Sequence, residues 1–208
     1  MQLQPGLSSC GILAGGWARG AWFNALQRPI SQRKKLLLCP EAVNWLPLPG
    51  GCGFEDYGGI HNSCAMGVAE DSNGEAASYG ANLWIYNAPF ELQGRPKSYH
   101  RGKLSAPANG SRVPLMGDAV WRGEGPHYDE PIAYMPELVP GHYTNTAAFA
   151  DYEIEHFAIP RHGSGTQLSF FDGSAKSLPV CDLWAQQWSR AWDPEAYRRV
   201  VAFPAWLR

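Results

Sequence analysis

The segment that most constrains this 208-residue chain is Arg161-His-Gly-Ser-Gly-Thr-Gln-Leu-Ser-Phe-Phe-Asp-Gly-Ser-Ala-Lys-Ser-Leu178. Thr166 to Phe171 is a short run with β-branched and aromatic residues, followed directly by Asp172-Gly173. Asp-Gly between two strand-like runs signals a hairpin, because a type I′ turn needs positive φ at both central positions. Ser174 to Leu178 is then the returning strand, with Ala175 and Leu178 as its apolar members. His162 stands ahead of the outgoing strand, with nine residues between it and Asp172. A fully extended strand of that length separates their side chains by roughly 20 Å or more, whereas proton transfer needs about 3 Å. The pair therefore reads as structural: His162 braces a loop by a hydrogen bond, Asp172 closes the turn and Gly173 supplies the positive φ.

Other segments extend the pattern. Leu36 to Pro40 is an apolar run ending in Cys-Pro, Ser78-Tyr-Gly-Ala-Asn82 is a compact polar-aromatic element, and Val113 to Asp118 is an apolar strand ending in Gly-Asp. With Arg161, His162, Asp172 and Gly173, and with the Leu183-Trp184…Trp188 tail, this ordered series resembles the bacterial prepilin-like or pseudopilin-like proteins that carry a C-terminal H-X9-DG domain, related to type II secretion and type IV pilin-like subunits. The resemblance runs from about residue 20 to the end. It implies a helix packed on a small antiparallel sheet, and a structural role outside the cell. That family begins with a basic leader and a long apolar helix. Met1 to Gly20 instead holds Pro5 and five glycines, with neither an apolar run of spanning length nor the order of a secretory signal. Either an anchor precedes residue 1, or assembly proceeds without one.

Composition supports a loop-rich protein that meets other proteins. Glycine contributes 23 residues and proline 17, well above the roughly 12% usual for the two together. Nine tryptophans favour burial and interfaces, where a large rigid ring fills a pocket. A formal net charge of −2, with no basic block beyond Arg33-Lys34-Lys35, argues against nucleic acid or an anionic membrane as partner.

The whole of 1–208 reads as one α+β domain: a pilin-like small antiparallel sheet of about four to six strands, with a packed helix and long loops. Residues 1–17 form an N-terminal extension, and Ala18 to Ile30 a helix with an aromatic face. Lys35 to Cys39 is a buried strand stopped by Pro40. Residues 41–79 are a long Gly/Pro/Asn/Ser excursion, and Gly80 to Tyr86 is a strand. Arg95 to Arg112 is a basic loop, and Val113 to Met116 a second buried strand. Ala150 to Pro160 alternates as a half-buried strand. In residues 183–208, an aromatic C-terminal helix and tail, Trp184, Trp188 and Trp192 share one helical face and are the candidate assembly surface.

Catalytic chemistry finds little support. His162-Gly-Ser-Gly165 lacks the glycine that opens a nucleophile elbow. His61, Cys64, Cys52 and Cys39 do not have zinc-ligand spacing. Calcium has two candidate sets: Asp71, Asn73 and Glu75, which place oxygens at alternate positions of a loop, and Asp151, Glu153 and Glu155. The latter would sit about 6.8 Å apart on a strand, and a solvated face is the competing reading. Of five cysteines, Cys52 and Cys64 are the candidate disulfide, with simple thiol burial as the alternative. The resulting expectation is a non-enzymatic, extracellular or cell-surface subunit whose partner is itself, forming a homo-oligomeric filament or appendage. The alternative is a minor pseudopilin-like adaptor that binds a secretion substrate or tip complex.

Overall fold

The structure, a computed structural model, describes residues 37–42, 64–65, 76–87, 90–91, 95–102, 109–120, 123–126 and 153–198. Its strands are β1 (Cys64–Ala65), β2 (Ala76–Ala77), β3 (Tyr79–Asn82), β4 (Pro114–Asp118), β5 (Gly123–Glu124), β6 (Gly165–Phe170) and β7 (Ala175–Pro179). β1 and β2 make a separate two-stranded pair. The main sheet runs β5-β3-β4-β6-β7. Four of its strands are antiparallel neighbours, and the two-residue β5 adds to the β3 edge in parallel. A small antiparallel sheet with little helix agrees with the α+β expectation.

β6 is the inner strand of the β6–β7 hairpin, flanked by β4, and its alternation is real. Thr166, Leu168 and Phe170 are buried, while Gln167 and Ser169 are only partly so. The turn differs from the two-residue type I′ expectation. Phe170 N–H donates to Ser174 O and Gly173 N–H to Phe170 O, which encloses three residues, Phe171 to Gly173. In such a loop a single left-handed residue follows an ordinary turn, and Gly173 fills that position at φ 83°. Asp172 accepts from the backbone N–H and hydroxyl of Ser174. These bonds hold the exposed Asp172 carboxyl below the usual carboxylate range.

β4 packs against β6 with a bulge between Pro114 and Met116, after which Gly117 lies opposite Leu168. A Cβ at Gly117 would stand 2.1 Å from Leu168 Cδ2 and 2.8 Å from the Gln167 carbonyl oxygen. The carbonyl belongs to the neighbouring strand, so relief requires the strands to separate. Gly117→Ala is therefore expected to cost about 1–3 kcal/mol, read as a lowered urea midpoint with an unchanged slope.

Several local expectations are overturned. Leu37 to Ala42 is not a strand; it turns, with Ala42 N–H donating to Cys39 O. β3 stops at Asn82, whose side-chain oxygen caps the N–H of Trp84, and Leu83–Ile85 winds into a 3-10 turn. The described part of the alternating stretch expected at Ala150 to Pro160 is also no strand: Glu153–Phe157 is 3-10. Ile154 through Ile159 are all buried, so the alternation of residue type there does not separate a wet face from a dry one. The expected C-terminal helix is broken as well. Val180–Ala185 is 3-10, Ser189 Oγ accepts from Ala191 and Trp192 N–H, and among the described residues of this stretch only α1 (Pro194–Arg198) is α-helical. Proline opens α1 at the position where its missing N–H costs nothing, and Asp193 caps it through Glu195 N–H. The expected helix at Ala18 to Ile30 lies outside the described residues.

The core joins Trp84, Ile154, Phe157, Leu168, Phe170, Val180, Leu183, Trp184, Trp188 and Trp192. Two arginines from the expected basic loop secure its C-terminal part. Arg101 donates to Gln187 O at 2.7 Å and Ser189 O at 3.0 Å, and Arg112 to Ala185 O at 2.9 Å.

Trp84 is flanked by His100, with ring centroids 5.0 Å apart, and by Arg95, 5.7 Å from the ring. Burial, and then the Arg95 cation, lower the His100 pKa below its ordinary value. The native ring thus stays neutral where the unfolded chain takes up a proton. Its contribution is complete above the unfolded value near 6.5 and erodes as pH falls below it, until the lower native value is reached. The denaturation midpoint of the native chain should therefore drop between about pH 7 and pH 5 more than that of His100→Gln.

Candidate functional site

The sheet brings together residues from four separated segments. Asp118 ends β4 and is fully buried, as is Arg161, whose Nη1 lies 2.9 Å from Asp118 Oδ1. The same guanidinium donates to Ser78 O at 2.8 Å and Ala119 O at 3.3 Å. It thereby joins the start of β3, the end of β4 and the approach to β6. The second carboxylate oxygen, Oδ2, accepts from Gln167 N–H at 2.9 Å. One side chain therefore serves as partner to the cation and as an extra acceptor in the β4–β6 ladder.

His162 lies beside this pair. A bridge between His162 and Gly165 sets the ring at the mouth of β6, with its side chain 27% exposed. Its Nε2 is 3.2 Å from Asp118 Oδ2 and 3.3 Å from Cys39 Sγ. Cys39 is buried with a free thiol, and its N–H donates to Ser78 Oγ. Tyr79 hydrogen-bonds the Cys39 side chain. Burial, then the neighbouring Cys39 and Asp118, push the Tyr79 phenol up to about 12, so it remains neutral and able to donate.

Ligand atoms of Cys39, Asp118 and His162 all lie within 4.8 Å of one another. In a nucleophilic triad the acid holds the imidazole nitrogen remote from the nucleophile. Here thiol and carboxylate address the same nitrogen, which is the arrangement of ligands around a point rather than of a proton relay.

The His162 ring is directed toward Cys39 and Asp118. Asp172 and Gly173 sit at the far end of β6, away from this cluster. Trp184, Trp188 and Trp192 are 2%, 0% and 3% exposed. They do not present the expected shared helical face to a neighbouring subunit, because the chain winds as 3-10 and then bends, turning all three rings into the core. Glu155 is buried within the 3-10 turn; Asp151 and the Glu153 side chain lie outside the described residues, as do Asp71, Asn73, Glu75 and Cys52. Cys64 is described only through its backbone in β1, so the Cys52–Cys64 pairing falls outside too. Among the described residues, no helix is long and apolar enough to cross a membrane.

By sequence, Cys39 groups with the other cysteines and His61, and Asp118 is only the end of a strand. No local spacing connects positions 39, 118 and 162. The available signal is that each lies at a boundary of one of the ordered segments: Cys39-Pro40 and Gly117-Asp118 at the end of theirs, Arg161-His162 at the start of its own. No family model, curated protein or solved structure matches this chain.

Proposed function

We propose that this chain is a pilin-like structural subunit, without catalysis of its own, that acts outside the cell or at its surface and assembles with copies of itself into a filament or appendage. The observation that carries this reading is the meeting of the ordered segments. Leu37 O accepts from Ser78 N–H, Asp118 pairs with Tyr79 across β3 and β4, and Arg161 bonds to both Ser78 and Asp118. The motifs that resemble the H-X9-DG proteins thus act as one joint, and the His162-to-Gly173 segment is the strand scaffold that leads from it. A fully buried ion pair whose guanidinium also bonds the Ser78 and Ala119 carbonyls suits a structural joint.

A second reading, the minor pseudopilin-like adaptor, draws on the surface. Phe90 is the one exposed large hydrophobic residue among those described, and the edge strand β7 carries Lys176 and Pro179, which discourage edge-to-edge pairing. Such a surface suits few, selective contacts. Electron microscopy of the purified protein, together with its mass in solution by light scattering, tests the proposal. Polymers or defined homo-oligomers are expected. A one-to-one complex with a secretion component and no polymer would favour the adaptor, and a persistent monomer with no partner would reject both readings.

A further inference from the structure

We infer that Cys39, Asp118 and His162 form a binding site for a soft divalent transition metal, zinc in the first place, which ties the Cys39 turn to the sheet. Three observations converge on it.

The first is spacing. Zinc bonds of about 2.3 Å to sulfur and 2.0–2.2 Å to nitrogen and oxygen, at tetrahedral angles, place a nitrogen roughly 3.4 Å from an oxygen ligand and 3.6 Å from a sulfur ligand. His162 Nε2 lies 3.2 Å from Asp118 Oδ2 and 3.3 Å from Cys39 Sγ, and the three groups are mutually within 4.8 Å. The two distances at the imidazole need adjustments of only a few tenths of an ångström, and Cys39 Sγ, within 4.8 Å of the carboxylate, closes toward the roughly 3.6 Å of a tetrahedral sulfur–oxygen pair on binding.

The second is proton count. A single imidazole nitrogen carries at most one hydrogen, so Nε2 can direct a full hydrogen bond at Sγ or at Oδ2 but not at both. A cation between the three atoms satisfies every contact at once, and coordination releases the thiol proton to solvent.

The third is the surrounding shell. Metal-binding carboxylates are held by outer partners. Asp118 is held by Arg161 through Oδ1 and by Gln167 N–H at Oδ2, while Tyr79 bonds the sulfur ligand. Partial exposure of His162 provides access and leaves a fourth position for water. Thiolate and imidazole ligands select zinc over calcium, which takes oxygen ligands; this site is distinct from the acidic sets expected for calcium. It also stands apart from the assembly reading, since a monomer can bind zinc and a filament can form without it.

Titration of the purified, chelator-stripped full chain with zinc chloride by calorimetry tests the inference, with cobalt chloride as a spectroscopic probe. The expected result is one equivalent of zinc lost in both Cys39→Ser and His162→Asn, with an affinity drop exceeding the roughly 10–100-fold typical of an outer partner. Cobalt should give a sulfur-to-metal charge-transfer band and tetrahedral visible bands in the native chain, and the charge-transfer band should be absent in Cys39→Ser. A hundredfold excess of calcium chloride should leave the zinc isotherm unchanged. Should either variant fail to fold, the cobalt spectrum of the native chain decides. No zinc uptake, a cobalt spectrum lacking the thiolate band, or variants that bind as the native chain does would each overturn the site.

Discussion

Arg161→Met is expected to lower the stability of the native chain by about 3–5 kcal/mol, the cost of stranding one member of a buried ion pair. Asp118 would remain fully buried with its charge uncompensated, and the carbonyls of Ser78 and Ala119 would lose their guanidinium donor. For a domain of this size the melting temperature should fall on the order of 10 °C. A double variant, Arg161→Met with Asp118→Leu, separates two origins of the loss. If the charge left behind dominates, much of the stability returns, because an apolar pair of similar volume has nothing to desolvate. If the three-strand joint dominates, it does not, since Gln167 N–H also loses its acceptor. Denaturant unfolding of the two variants beside the native chain distinguishes these outcomes. An Arg161→Met midpoint equal to that of the native chain would refute the joint altogether.

Trp188→Ala should be comparably damaging, about 3–5 kcal/mol, the usual range for removing a large aromatic side chain from a packed core. The ring is 0% exposed, lies 4.9 Å from the Phe157 ring and donates from Nε1 to Leu183 O at 2.9 Å. Removal leaves a cavity and takes one of two donors from that carbonyl, which keeps the N–H of Gln186. Trp188→Phe fills most of the space but cannot donate, so it should recover more than half of the loss. Near-ultraviolet circular dichroism and urea unfolding provide the readout. Native-like stability of Trp188→Ala with altered assembly would return this residue to the role of an exposed contact. A loss of stability in the isolated subunit is what its burial requires.

The strands that were legible in advance are those whose cause is local. β6 follows from the alternation of Thr166, Leu168 and Phe170, and Asp172-Gly173 marks the reversal within a few residues of where it occurs. β4 follows from the short apolar run after Arg112. Even there, the turn enclosed three residues rather than two, because the pairing of Phe170 with Ser174 decides how many residues are left over. The stretch around Glu155 failed for an instructive reason. Period-two alternation identifies a strand only when one face is wet, and Ile154 to Ile159 are buried on every side. The four-residue tryptophan spacing failed similarly, since 3-10 winding to Ala185 and the Ser189 turn interrupt the helix on which that spacing depends.

Turn chemistry, proline placement and the alternation of one strand, interactions reaching only a few residues along the chain, were enough to define the hairpin and the small antiparallel sheet. The convergence of Cys39, Ser78, Asp118, Arg161 and His162 belongs to tertiary structure alone. It depends on β3, β4 and β6 lying side by side in a particular register, and the Cys39–His162 contact spans 123 positions. No periodicity or local spacing encodes a contact made across strands, because its geometry exists only once the sheet has formed.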